Sequence, residues 1–232
     1  MSTYLLFAII PLLLGMYAQF KIQSAYKSYS SVRTQTGVSG YEAARKMLDA
    51  HELHDVRIEK VGGTLSDHYA PGEKVLRLSE GVYSSNSIAA VGVACHEAGH
   101  AYQHAEGYGP LRLRSAFIPA VNIGSRLGPI LFMVGLAFSS ADSNYTVSKI
   151  GLMLFALTAV FSLITLPVEY DASNRAKAWL ADSGLLYGNE LKGVESVLSA
   201  AALTYVSAAI RAIANVLYYA SILGSRSSRN RR

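Results

Sequence analysis

A single cysteine, Cys95, stands among the 232 residues, so no intramolecular disulfide can form and a secreted fold stapled by cystines is excluded. Charge is scarce as well. Only 16% of the residues are Asp, Glu, Lys or Arg, against about 25% in an ordinary soluble domain. Hydrophobic residues make up 51% of the chain and the mean hydropathy is positive, with apolar runs longer than a soluble core of this size normally holds. These shortfalls point to a membrane protein. The net charge is +5, yet Lys and Arg are scattered, gathering only in the tail at Arg226, Arg229, Arg231 and Arg232. With no basic stripe to track a polyanion, nucleic-acid binding is excluded; in a membrane protein such charge sets orientation.

Also missing are a basic residue ahead of the first apolar run, 5–20, and a small-x-small cleavage site behind it. Residues 1–20 are therefore expected to be a retained membrane anchor and not a cleaved signal. A polar, mixed region follows over 21–114. Residues 41–53 have helical periodicity, with Ser39 and Glu42 spaced as a capping box. Residues 54–78 read as short strands and turns: 56–59 alternates, Gly62-Gly63 turns, and 74–78 is strand-like and a candidate open edge for a substrate backbone. Residues 87–104 read as one long helix, ended by Gly107 and Gly109-Pro110.

Three further apolar regions come next. The first, 115–138, contains Pro119, Asn122, Arg126 and Pro129, so its polar positions are expected to face protein, or the segment to enter as a broken helix. The second, 149–168, is uncharged over 150–168, and a polar segment, 169–196, follows it. The third, 197–224, carries Arg211 near its middle and either spans or lies in the interface, ahead of a basic tail over 225–232. Lys21, Lys27, Arg33, Arg112, Arg114, Arg175, Lys177 and Lys192 flank these regions, whereas 139–148 is almost free of positive charge. The positive-inside rule then gives a multi-pass chain of the cell membrane, with 21–114 and 169–196 facing the cytoplasm. The arginines of the tail run against that rule if the last region spans, which keeps an interfacial last helix open.

The chemistry gathers at His96-Glu97-Ala98-Gly99-His100, an instance of His-Glu-x-x-His. Four residues on a helix advance about one turn, so both imidazoles share a face and can hold one metal ion, while Glu97 stands beside the water to be activated. Zinc with an open coordination position suits this set. Ala89, Ala90, Ala94, Ala98 and Gly99 would let another element pack closely against that helix. Three residues compete to be a third ligand. His104 lies one turn beyond His100, His68 sits in the polar run Ser66-Asp67-His68-Tyr69, and Glu169, the strongest of them, is the first acidic residue after the uncharged apolar run.

Several stretches carry a resemblance: Leu65-Ser66-Asp67-His68-Tyr69, Leu76-Arg77-Leu78-Ser79, Ala94-Cys95-His96-Glu97-Ala98-Gly99-His100-Ala101, Gln103-His104-Ala105 and Pro167-Val168-Glu169-Tyr170-Asp171-Ala172-Ser173. Over most of its length the chain resembles the bacterial neutral zinc membrane metallopeptidases. More distantly it is similar to the membrane gluzincins that include the heat-shock membrane protease and the prenyl-protein endopeptidase. In those, a helix after the zinc motif ends in Glu-(Phe/Tyr)-x-Ala-Asp and its Glu is the third zinc ligand, which the resemblance transfers to Glu169. The fifth position here is Ser173 instead of Asp, so Asp171 is expected to orient a ligating histidine in its stead. The close family also tends to have an acidic residue after Tyr69, where this chain has Ala70.

The resemblance implies a mainly α integral membrane metalloprotease: a zincin-like, gluzincin-type cytoplasmic domain with a small β element, packed on three to four membrane helices. One zinc ion is expected on His96, His100 and Glu169, with Glu97 as general base and acid. For the oxyanion, His68 is the first choice ahead of Tyr69, Asn122 and Arg175. Asp171, His104, Asn174 and Arg175 are expected around the ligands. The partners are a polypeptide substrate, the lipid bilayer, and a membrane-protein partner or a second copy. A zinc-dependent amidase or deacylase, and a non-enzymatic membrane protein with a structural metal, are the competing functions. Glu97 argues against the last, because a structural site fills all four positions with protein ligands and needs no base.

Overall fold

The structure, a computed structural model, describes residues 2–138 and 145–229, and the side chains of 7–138 and 145–226. Most of the short loop 139–148 and of the basic tail lies outside that set. The elements in chain order are α1 (Ser2–Ser30), α2 (Gly40–Ala50), β1 (Arg57–Val61), β2 (His68–Ala70), β3 (Val75–Ser79), α3 (Glu80–Tyr83), α4 (Ile88–Ala105), α5 (Gly109–Ala137), α6 (Thr146–Asp182) and α7 (Asn189–Arg229). They form two compact units. One comprises Met1–Tyr17, Leu113–Leu166 and Tyr205–Arg232, the other Ala18–Arg112 and Pro167–Thr204.

In the second unit, α2 begins where its sequence dictates. The Ser39 hydroxyl accepts from the Glu42 amide at 3.3 Å and the Glu42 carboxylate accepts from the Ser39 amide at 2.8 Å, a complete capping box. The helix stops at Ala50, short of 53, because Glu52 adopts a left-handed φ of 59° and the Leu53 amide closes onto the Leu48 carbonyl. Ala43, Ala44, Met47 and Leu48 are buried in a core shared with α4. The strands form a three-stranded sheet in the order β1-β3-β2, with β1 parallel and β2 antiparallel to β3. The strand expected over 74–78 is therefore the central one, paired on both sides. The edges of the sheet belong to β1 and β2, and β2 is the one that meets α4.

Ser87 caps α4, its hydroxyl accepting the Ala90 amide at 3.2 Å. This helix runs to Ala105 and is left through Gly107 at a φ of 68°, which glycine adopts without strain. Its small residues are buried nearly all round, as a helix packed on several sides requires.

Among the described residues three helices are long and apolar enough to cross a membrane by length and composition: Gly109–Ala137, Thr146–Asp182 and Asn189–Arg226. The expected anchor at 1–20 starts among residues whose side chains lie outside the described set. In the first unit α5 is unbroken despite Pro119 and Pro129, and it turns its glycines toward α6. A Cβ on Gly124 would lie 2.4 Å from the Leu154 carbonyl oxygen, and one on Gly151 2.4 Å from the Phe132 nitrogen. Small residues let the two backbones approach, the usual means of packing helices in lipid. Asn122 and Arg126, expected to face protein, are instead exposed, a position from which a long arginine can snorkel. Arg211 is exposed too, with its guanidinium in the space that a side chain at Gly15 would need.

Candidate metal centre

On α4, His96, His100 and Gln103 fall at positions i, i+4 and i+7, one stripe along the helix. That stripe faces α6, and Gly99 sets the separation. A Cβ there would lie 2.7 Å from the Ala172 carbonyl oxygen, so only glycine lets α4 come this close. On α6, Glu169 and Ser173 share a face four residues apart and meet the two histidines. The Nε2 atoms of His96 and His100 stand 3.3 Å and 3.4 Å from Glu169 Oε2. One ligand atom from each of the three residues lies within 4.8 Å of the others. A tetrahedral zinc ion with bonds of about 2.0–2.1 Å separates its ligand atoms by about 3.3–3.4 Å, so the spacing to Glu169 suits such an ion. Among the described residues this is the one cluster of three His, Cys, Asp or Glu side chains able to hold a metal. Neither His68 nor His104 belongs to it.

The remaining ring nitrogens fix which atoms face the centre. Gln103 is fully buried, and its amide nitrogen donates to the Val168 carbonyl and to Asp171, both at 2.8 Å. Its oxygen is thus an acceptor, and His100 Nδ1–H donates to it at 2.9 Å. His96 Nδ1 lies 3.0 Å from Ser173 Oγ. With Nδ1 engaged on both rings, both Nε2 atoms face the one buried carboxylate of Glu169, an arrangement that suits a metal ion. At His100 burial opposes the charged form, but the hydrogen bond with Glu169, followed by the charges of Glu97 and Glu169, raises the pKa overall. Cys95, next to His96, takes no part: burial pushes its thiol up and it packs in the core.

Glu97 lies on the neighbouring stripe of α4, and its Oε2 accepts the backbone N–H of Tyr69 at 3.1 Å. The Tyr69 hydroxyl lies 2.9 Å from Nδ1 of His104. His68 is exposed on β2, with its Nδ1 2.8 Å from the Ser66 carbonyl. Asp171 does not touch a histidine. It accepts from Gln103 and from Nε of Arg175, whose Nη1 also donates to Glu106 at 2.6 Å. The Arg175 guanidinium lies over the Tyr102 ring, 4.5 Å from its centroid. Asn174 is exposed, and Asn122 belongs to α5 in the other unit. Sequence reasoning missed Gln103 as the partner of His100. The available signal was a buried-helix glutamine three residues after a metal-type histidine, on the same face.

Fold and cluster together define a class: a mainly helical chain with membrane-length apolar helices and a buried pair of histidines sharing a carboxylate. The chain belongs to the family described as "putative neutral zinc metallopeptidase", whose model matches residues 4–224. It is also 45% identical over 219 residues to a Bacillus subtilis (strain 168) protein named "putative membrane protease YugP", covering 94% of this chain and 96% of that one. No solved structure gives a significant match.

Proposed function

We propose that the chain is a zinc-dependent endopeptidase of the cell membrane, with one ion held by Nε2 of His96, Nε2 of His100 and the Glu169 carboxylate. The observation that carries this reading is the convergence of those three groups, at 3.3 Å and 3.4 Å from each imidazole to the carboxylate, with the Glu97 carboxylate next in the chain to His96 and outside the cluster. Zinc at this place supplies a Lewis acid that polarises the scissile carbonyl and acidifies the attacking water. Glu97 takes the proton of that water and passes it to the departing amine nitrogen as the C–N bond breaks. Ser173 and Gln103 keep the Nδ1 protons of the two rings engaged, so that both Nε2 atoms point inward.

The substrate is read as an extended polypeptide paired along β2, the open edge next to Glu97. His68, exposed on that strand, is assigned the developing oxyanion. The cytoplasmic orientation rests on the distribution of Lys and Arg around the apolar regions.

The test is Glu97→Gln in protein reconstituted with lipid and one equivalent of zinc. Hydrolysis of an unfolded polypeptide should fall at least about 100-fold, with the bound zinc and the thermal transition retained. Loss of zinc together with unfolding would assign Glu97 a structural part instead.

A further inference from the structure

β2 is three residues long and is paired on one side only, so ladder hydrogen bonds alone cannot hold its outer edge still. Two side-chain contacts flank the point where it meets Glu97. On the near side, Asp67 Oδ1 accepts the amide of Ser79 at 2.7 Å and its carboxylate also takes the Ser79 hydroxyl, tying the residue before β2 to the end of β3. At Tyr69 itself the side chain runs along α4 and its hydroxyl reaches His104 at 2.9 Å, seven residues beyond Glu97 on the same helical stripe. Burial, with a smaller contribution from Asp55, pushes the Tyr69 phenol up to about 12, so the hydroxyl keeps its proton and is able to donate to His104 Nδ1. One residue therefore touches α4 twice, through its amide at Glu97 and through its hydroxyl at His104.

We propose that the Tyr69–His104 hydrogen bond, backed by Asp67, clamps the edge strand on the catalytic helix, and that Tyr69 and His104 are positioning residues for Glu97. The inference rests on the peptidase reading for its consequence in catalysis, but the clamp is a property of this chain whatever its substrate. Glu97 points at its water because one backbone N–H holds one carboxylate oxygen. That N–H has a fixed position only while the strand is held.

Both levels are tested with the full chain in lipid nanodiscs, loaded with zinc. In Tyr69→Phe and in His104→Ala, kcat should fall about tenfold or more, while KM stays within about twofold of the parent. His104→Gln, whose amide oxygen can still accept, should stay close to the parent. The double variant Tyr69→Phe, His104→Ala should be no slower than either single one, because each removes the same contact. Independently of activity, hydrogen exchange at the residue 69 amide should quicken about three- to tenfold in both single variants. Additive losses in the double variant, or an unchanged amide in both single ones, would overturn the clamp. Quickened exchange in both single variants of a parent chain that itself hydrolyses no peptide would support the clamp and overturn the peptidase reading, so the two fail separately.

Discussion

His100 donates its Nδ1 proton to the side chain of Gln103, one helical turn away at 2.9 Å, and Gln103 cannot reverse its amide to become a donor there. Its nitrogen is already committed to the Val168 carbonyl and to Asp171. The orientation of one candidate ligand is thus enforced through Gln103, which is itself held by the Asp171–Arg175–Glu106 network. Replacing Gln103 by Leu should keep the volume and remove the acceptor. Zinc affinity should then fall about 10- to 100-fold, measured by competition against a chromophoric chelator.

Ser173 stands four residues after Glu169 on the same face of α6, and it contacts His96 at 3.0 Å. Ser173→Ala should weaken zinc about tenfold. Ser173→Asp, by offering a charged acceptor to the same Nδ1–H, should bind zinc at least as tightly as the parent. A weaker Ser173→Asp protein with an unchanged fold would mean that the hydroxyl does something other than accept.

Gly99 holds α4 against α6 at a distance that a methyl group cannot share, since its Cβ would lie 2.7 Å from a backbone oxygen. Gly99→Ala should cost about 1–3 kcal/mol of stability through overpacking. It should also reduce zinc affinity, because Glu169 and Ser173 would move away from the histidines. Thermal melts with and without zinc separate the two effects: the zinc-dependent rise in Tm should shrink, and the melting temperature without zinc should fall.

Zinc should protect the fold more as pH rises. The raised pKa of His100 in the metal-free chain means that protonation stabilises that form; the contribution is whole below the ordinary imidazole range and is lost as pH climbs through the raised value. Zinc needs the neutral ring and competes with that proton. The zinc-induced increase in Tm should therefore be small near about pH 5.5 and large near about pH 8. An increase independent of pH over that window would place the metal away from His100.

Local rules made part of this structure legible. The Ser39–Glu42 box and the extent of α4 follow from neighbours within a turn, and both are found within a residue or two of where the sequence puts them. Sheet order was not legible, because it depends on which distant strands pair; 74–78 looked like an edge and is central. On α6 the period of the helix decides between two polar residues. Ser173 is four residues from Glu169 and shares its face, whereas Asp171, two residues on, is turned about 200° round the axis and meets the site through Gln103. A neutral glutamine carries no motif, so its part in the site emerges only when α4 and α6 are seen together. The part played by the glycines of α5 is hidden in the sequence for a related reason: close backbone approach is a property of a pair of helices.

The central claim is that His96, His100 and Glu169 hold one zinc ion. An anomalous difference map at the zinc edge, from crystals of the zinc-loaded full chain in lipid, tests it most directly. One strong peak is expected, bounded by Nε2 of His96, Nε2 of His100 and a carboxylate oxygen of Glu169, with no other protein ligand. A peak at the two histidines without Glu169, or a peak anywhere else, would contradict it.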